Sequence, residues 1–318
     1  MRWLKRLFYL LLLLFIGLNV VIYNHAYKFT HFVEKDVPKF KATYAQDLGN
    51  WQDKAKLGLF GIETPKSKNT TTPRYKYETV TLRDSLQLSA WWIPARTSRP
   101  KGTVILFHGY NSRKSAVLGP AGIFRSLGYH TFLVDLRAHG DSEGLTTTIG
   151  YYEAEDVKEA YDYVKEKYPK YPISLFGTSM GSMSILKAQH DYQMDIEKIV
   201  IECPFESMRT AVTTRFENMK IPTLLMPDLL LFWGGIQNDM SAFKHDAKIY
   251  ARKVTTPVLH IYGKEDARVR LSETAAVYTA LASKDKELLV IPEAGHEYMS
   301  GHFAKEWTSA VSKFMKKK

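Results

Sequence analysis

Cysteine is nearly absent from this 318-residue chain, with Cys203 standing alone. One thiol cannot close an internal disulfide or build a Cys-rich zinc site. Glycine is sparse too: 19 residues cannot occupy every third position, which excludes a collagen-like chain. Charged residues make up 24% and apolar residues 45%, too little charge and too much apolar surface for a disordered chain. The interior has no long Lys/Arg run interleaved with aromatics, so no nucleic-acid groove is expected. The length leaves room for one large domain, or two small ones, around a proper core.

The formal charge is +11, and its placement is more telling than its size. Arg2, Lys5 and Arg6 give residues 1–23 a charge of +3 with no acid. Lys313, Lys316, Lys317 and Lys318 add +4 at the other end, where they either touch an anionic surface or are simply solvated. The remaining +4 is ordinary for the body between them. Leu7 to Tyr23 (LFYLLLLLFIGLNVVIY) is 17 residues without a charge. As a helix it would be about 25 Å long, at the short end for crossing a bilayer. Signal-peptide cores are shorter, about 7 to 15 residues, and the nearest cleavage candidate, Ala26, has Asn24 in place of a small residue. An uncleaved signal anchor over residues 1–23 is therefore expected. A cleaved signal, giving a secreted or periplasmic body, is the alternative. A buried core helix fits less well, because the run is apolar on every face. Basic residues ahead of the anchor put the N-terminus in the cytoplasm and the body outside. A body with one cysteine needs no oxidative folding machinery there.

Residues 24–73 read as a juxtamembrane segment with one or two helices and a polar linker, Thr64–Pro73 (TPKSKNTTTP). Beyond it, strands and helices alternate over 74–318. Runs at 75–82 and 86–93 flank a turn at Asp84-Ser85. Short apolar runs follow at 103–107, 130–136, 173–176, 199–203, 258–262 and 288–291, as expected of strands covered on both faces. Between them, Ala154, Val157, Tyr161, Val164 and Tyr168 recur at helical spacing. The alternation predicts an α/β fold with a mostly parallel sheet, whose sites form at the strands' C-terminal ends.

The strand at 173–176 runs into Gly177-Thr178-Ser179-Met180-Gly181 and then a helical segment, 182–190. G-x-S-x-G between a strand and a helix holds a serine on a strained turn, its Oγ above the sheet. A serine hydroxyl needs an adjacent base. Among ten histidines, His296 sits just past the last strand, in Glu293-Ala294-Gly295-His296. His302 is the runner-up, and His260, inside an apolar run, reads as a core histidine with its polar atoms satisfied. Asp266, in Gly263-Lys264-Glu265-Asp266 after the strand at 258–262, is placed to orient the base; Glu265 is its nearest rival. Backbone donors for a developing oxyanion are expected from Met180 and from Tyr110, in the loop His108-Gly109-Tyr110-Asn111. His108 is expected to organise that loop.

These pieces carry a resemblance. HGYN at 108–111, DLRAHGDSEG at 135–144, GTSMG at 177–181, GKEDARV at 263–269 and EAGH at 293–296 occur in the order seen in the α/β-hydrolase superfamily. The chain resembles its serine aminopeptidase-like and lysophospholipase-like esterase branch. The resemblance implies the α/β-hydrolase fold: a mostly parallel sheet, helices on both faces and a small helical cap inserted at about 204–256. Family patterns often carry Gly where this chain has Ala138, and Asp135 and Arg137 beside it are expected to be structural. The apolar cap stretch from Ile221 to Gly235 could line an acyl pocket or pack on the core, with Gly234-Gly235 as a hinge or break.

The expected protein is a membrane-anchored serine hydrolase on a small or lipid-like acyl substrate. It needs no metal and no organic cofactor. A peptidase or amidase and a thioesterase remain open on the same triad. Of the cap acids, Glu206, Glu217, Asp228 and Asp239 could hold a substrate amine. A membrane-tethered binding protein without catalysis is the rival class. The sequence leaves the oligomeric state open.

Overall fold

The computed structural model describes residues 2–35, 51–83 and 86–317. The expected turn at Asp84-Ser85, residues 36–50 of the expected juxtamembrane segment, and Lys318 lie outside the described residues. Helix α1 (Arg2–Thr30) is followed by β1 (Phe32–Val33), α2 (Trp51–Phe60) and β2 (Thr64–Pro65). Next come β3 (Glu78–Arg83), β4 (Gln87–Ile93), β5 (Gly102–Phe107), α3 (Leu118–Ser126) and β6 (Tyr129–Val134). The chain continues through α4 (Glu153–Lys167), β7 (Ile173–Thr178), α5 (Met180–Tyr192) and β8 (Lys198–Glu202). Helices α6 (Met208–Asn218), α7 (Met226–Gln237) and α8 (Ala247–Ala251) lead to β9 (Val258–Gly263) and α9 (Leu271–Ala280). Strand β10 (Lys286–Ile291), α10 (Met299–His302) and α11 (Ala304–Lys316) complete the described chain. Two units are distinct: Met1–Pro65 with Met208–His245, and Lys66–Ser207 with Asp246–Lys318.

The second unit is built on an eight-stranded sheet in the order β10-β9-β8-β7-β5-β6-β4-β3. Strand β4 runs antiparallel to β3 and β6, and every other pairing is parallel. The apolar runs in β5, β7, β8 and β9 behave as expected of strands covered on both faces, every residue being buried. The run at 288–291 does not, because β10 is the last strand of the sheet and only its Ile291 is buried. Helices cover both faces in two contacting groups, α3 with α10 and α11, and α4 with α5, α8 and α9. In α4 the periodic Ala154, Val157, Tyr161 and Val164 are buried. Tyr168 falls just past the helix and stacks on Trp92, with ring centroids 3.8 Å apart. Phe124, Phe176 and Trp307 form an edge-to-face cluster between α3, β7 and α11, at 5.8 to 6.0 Å. At the C-terminal end, Lys317 pairs with Asp285 at 3.0 Å and with Glu287, so this part of the basic tail is held by acids of the same unit.

The loop after β6 is held by buried charge. Lys114, fully enclosed, brings its Nζ to 2.5 Å from Asp135 Oδ2, 2.7 Å from Asp141 Oδ2 and 3.0 Å from Ser89 Oγ. Arg137 binds Asp156 through Nε at 2.8 Å and Nη2 at 2.6 Å, and Glu155 at 3.0 Å. Asp135 and Arg137 are thus structural, as expected. Ala138 follows Arg137 at φ 63°, buried. That left-handed backbone is what makes glycine the easier residue at this place.

In the first unit, β1 and β2 pair in parallel, and α7 packs along the second half of α1. Helix α1 continues past Tyr23 to Thr30 and is long and apolar enough to cross a membrane. Gly234-Gly235 is neither hinge nor break, because both residues lie inside α7. A Cβ on Gly235 would come within 2.9 Å of the Met240 carbonyl oxygen, where the chain folds back over the helix end.

Two substitutions test this reading. Lys114→Met leaves Asp135 buried without its cation and is expected to cost about 3–5 kcal/mol in urea denaturation. Ala138→Gly relieves a left-handed alanine and is expected to stabilise by about 1 kcal/mol. A loss of stability on that change would mean that Ala138 is held there by packing of its methyl group.

Candidate active site

Steric exclusion shapes the turn between β7 and α5. Ser179 has φ 51° and ψ −114°, a conformation that L-residues rarely adopt. A Cβ on Gly177 would lie 2.6 Å from the Gly181 carbonyl carbon, and one on Gly181 would lie 2.5 Å from the Phe107 carbonyl oxygen. Only glycine fits at either place. Strand β8 secures the turn: the Ser179 N–H donates to the Glu202 carbonyl at 2.8 Å, and the Ser182 hydroxyl donates to the same carbonyl at 2.9 Å. The strain at Ser179 is thereby spread over a framework of hydrogen bonds.

His296 and Asp266 arrive from the loops after β10 and β9. His296 Nε2 is 3.1 Å from Ser179 Oγ, and its Nδ1 is 2.7 Å from Asp266 Oδ2. A carboxylate only accepts, so Nδ1 carries the proton and Nε2 faces the serine as acceptor. The amides of Arg268 and Val269 donate to Asp266 Oδ1 at 2.7 and 3.0 Å. Burial pushes the Asp266 carboxyl up. The hydrogen bond and charge of His296, with those two amides, outweigh burial and hold it below the usual carboxylate range. The three side chains singled out in the sequence are therefore brought together in one hydrogen-bonded chain. His302 is not part of it; it is exposed and pairs with Glu297 at 2.6 Å.

The loop carrying Tyr110 runs beside the serine. A Cβ on Gly109 would touch the Ser179 Cβ at 3.5 Å. Met180 is the first residue of α5, where backbone amides have no acceptor within the helix. Two buried histidines fix the loop. His108 accepts the Leu136 N–H at Nε2 (3.1 Å) and donates from Nδ1 to the Gly109 carbonyl (2.8 Å). His139 accepts the Asn111 N–H (3.0 Å) and donates to the Arg137 carbonyl (2.7 Å). Burial keeps both neutral, lowering His108 to about 4 and His139 to about 3.

Three further residues had no signal in the sequence. Tyr298 brings its hydroxyl 2.8 Å from Ser112 Oγ, joining the histidine's loop to that of Tyr110. Glu202 lies fully buried behind the turn, with the Trp307 indole donating to it, and burial raises its pKa to about 8. Cys203 is buried beside Asp266, and burial pushes its thiol up. Ligand atoms of Cys203, Asp266 and His296 lie within 4.8 Å of one another and could hold a metal ion, although two of the three already bind each other. His260 departs from expectation. It is buried in β9, but neither ring nitrogen has a hydrogen-bond partner among the described residues. Burial accordingly lowers it to about 3.

Strand order, turn and loops together are those of an α/β-hydrolase, and the comparisons agree. Residues 98–252 match the family described as serine aminopeptidase, S33. A Pyrococcus furiosus esterase superposes with a TM-score of 0.67 at 26% identity, over 79% of this chain and 96% of that one. The uncharacterized protein YqkD of Bacillus subtilis is 26% identical over 62% of this chain and 65% of its own length. The lysophosphatidylserine lipase ABHD12 of Danio rerio is 25% identical over 52% of this chain and 43% of its own. The chain thus spans less than two thirds of either curated relative. It belongs to the α/β-hydrolase superfamily, among esterase- and lipase-like relatives.

The buried titratable groups predict a pH optimum of stability. His108, His139 and His260 stay neutral in the fold but take up protons below about 6.5 on unfolding. In opposition, burial raises Glu202 to about 8 and, against Arg137, Asp156 to about 6, so the fold holds protons there that the unfolded chain releases. Below pH 6.5 the balance is about one proton taken up on unfolding, and stability is lost at roughly 1 kcal/mol per pH unit on acidification. Above pH 7 Glu202 dominates, and stability declines as pH rises toward 8. Melting temperatures from pH 4.5 to 8.5 should peak between pH 6.5 and 7; a flat profile would overturn this assignment.

Proposed function

We propose that the protein is a membrane-anchored serine hydrolase that cleaves an ester or related acyl bond in a lipid-like substrate. The observation that carries this is the hydrogen-bonded chain from Ser179 Oγ through His296 to Asp266. Ser179 Oγ attacks the acyl carbon while its proton passes to His296 Nε2. The Asp266 carboxylate holds Nδ1–H and steadies the imidazolium. The negative charge on the former carbonyl oxygen falls to the amides of Met180 and Tyr110. As the tetrahedral intermediate collapses, the leaving group departs with the proton from His296. Water then repeats the sequence on the acyl-enzyme, frees the acid and restores Ser179.

An ester is favoured over an aminoacyl amide by the state of the candidate acids. Asp228 is bound by Arg209 at 2.7 and 3.0 Å, and Glu206 by Lys248, so neither offers an uncommitted charge for a substrate amine. A lipid-like substrate suits the long apolar α1, which holds the enzyme where such molecules lie. The lipase name of one relative points the same way. With Arg2, Lys5 and Arg6 in the first turns of α1, ahead of its uncharged run, the N-terminus is cytoplasmic and the hydrolase body is on the other side.

Ser179→Ala is expected to abolish both p-nitrophenyl ester turnover and labelling by a fluorophosphonate; labelling that persists would refute the nucleophile. Asp266→Asn, which removes the carboxylate that selects the His296 tautomer, should lower kcat on the order of 10⁴-fold. An acyl-chain-length series on the full chain in micelles should rise toward long chains. Activity confined to aminoacyl amides would instead mark a peptidase.

A further inference from the structure

We propose that α7 is a second membrane-contacting element, lying in the outer lipid interface beside α1. The inference rests on the reading of α1 as an anchor. It starts from the two faces of α7. One face packs within its own unit: Leu231, Gly234 and Asn238 are buried. The other carries Leu229, Phe232 and Ile236 at helical spacing, one apolar stripe along the helix, with Leu225 capping its N-terminal end. Leu225 is 64% exposed, Phe232 47% and Ile236 57%, and Leu224 next to the helix start is 83% exposed. Leaving this much apolar surface in water is costly, and such patches mark contact surfaces.

What covers the stripe follows from how α7 meets α1. The Trp233 indole donates to Asn19 at 3.0 Å, Gln237 to the Tyr23 carbonyl at 2.9 Å, and Asn238 to Thr30 at 3.3 Å. Later residues of α7 meet later residues of α1, so the helices run in the same sense. The Leu224–Leu225 end of α7 therefore points back toward the apolar half of α1. In that half Trp3, Leu4, Phe8, Leu11, Leu14 and Ile16 are themselves uncovered. Tyr23 and Trp233 meet edge to face at 5.3 Å, the kind of aromatic pair that settles at headgroup level. Asn19, the first polar side chain beyond the leucine run, is bonded within the protein. The stripe is thus continuous with the surface already assigned to lipid, and its occupant is the acyl boundary of the outer leaflet. The single charged side chain within α7, Asp228, lies off the stripe and is neutralised by Arg209. The arrangement is that of a short helix that follows a neighbouring span into the outer lipid boundary, its apolar stripe toward lipid and its polar bonds toward α1.

The test uses the full chain in phosphatidylcholine vesicles. Cysteine is introduced singly at Leu225, Phe232 or Ile236, with Leu12→Cys and Lys313→Cys for comparison, and each is labelled with an environment-sensitive fluorophore. The parent protein, whose Cys203 is buried, controls for background labelling. These are exposed sites, where substitutions usually shift stability little, and a melting curve for each variant verifies folding. Probes at 225, 232 and 236 should be blue-shifted, quenched by spin-labelled lipid and shielded from iodide, while the probe at 313 is quenched by iodide. Lipid quenching at 12 with iodide quenching at all three α7 positions would overturn the proposal and leave the anchor standing. Iodide quenching at 12 as well would overturn both. Shielding of α7 from iodide without lipid quenching would mean that protein covers the stripe, which also overturns it. None of these readouts needs turnover, so the serine-hydrolase reading stands or falls separately, on fluorophosphonate labelling.

Discussion

Where β7 turns into α5, two backbones cross so closely that no side chain fits between them. Gly181 lies against the carbonyls of Phe107 and His108, and Gly177 against Gly181 itself. Ser179 is left at φ 51°, a conformation that would relax if its surroundings allowed. They do not: β8 holds its amide, Ser182 clamps the same carbonyl, and the parallel sheet fixes β5, β7 and β8 side by side. The loop after β5 and the loops after β9 and β10 take their places from that arrangement. A serine presented above a sheet edge is thus a consequence of packing around two glycines, with the sheet absorbing the local strain.

The surroundings of that turn are held by polar groups that burial has driven into one charge state. His108 and His139 are kept neutral, each accepting one amide proton and donating to one carbonyl, and they fix the two ends of the Tyr110 loop. Lys114 and Asp135 are fully enclosed as a pair, 2.5 Å apart, an arrangement in which neither is buried without its partner. Asp266 is likewise kept ionised by His296 and two amides against the pull of burial. Stability and the proposed chemistry therefore depend on the same few protons.

The first unit follows a different logic. Its α1 and α7 meet through three side-chain hydrogen bonds and one aromatic pair, all placed beyond the leucine run. Apolar side chains that would be an error on a water-exposed helix are accounted for if, as proposed, the two helices share a lipid surface. An enzyme tethered in this way would meet lipid-like esters already concentrated in two dimensions.

Much was legible in the residues before any coordinates. Short continuous apolar runs marked the inner strands of the large sheet, because a strand buried on both faces has no polar side to show; the two-residue β1 and β2 left no such mark. G-x-S-x-G between a strand and a helix marked Ser179, and loops at strand ends marked Asp266 and His296. The uncharged run of 17 residues marked α1. Other features could not be read this way, since they arise between segments far apart in the chain. Ser179 and His296 are separated by 117 positions yet lie 3.1 Å apart. Glu202 and Trp307 meet only because β8 and α11 pack together. His260 looked like any core histidine, and its unpartnered nitrogens became visible only with its neighbours in place. Gly234-Gly235 looked like a break until the return of the chain at Met240 showed why glycine is needed inside a helix. Local pattern determined which segments form and which residues could carry chemistry. The distances, protonation states and uncovered faces belong to tertiary structure, because each depends on what the rest of the chain brings alongside.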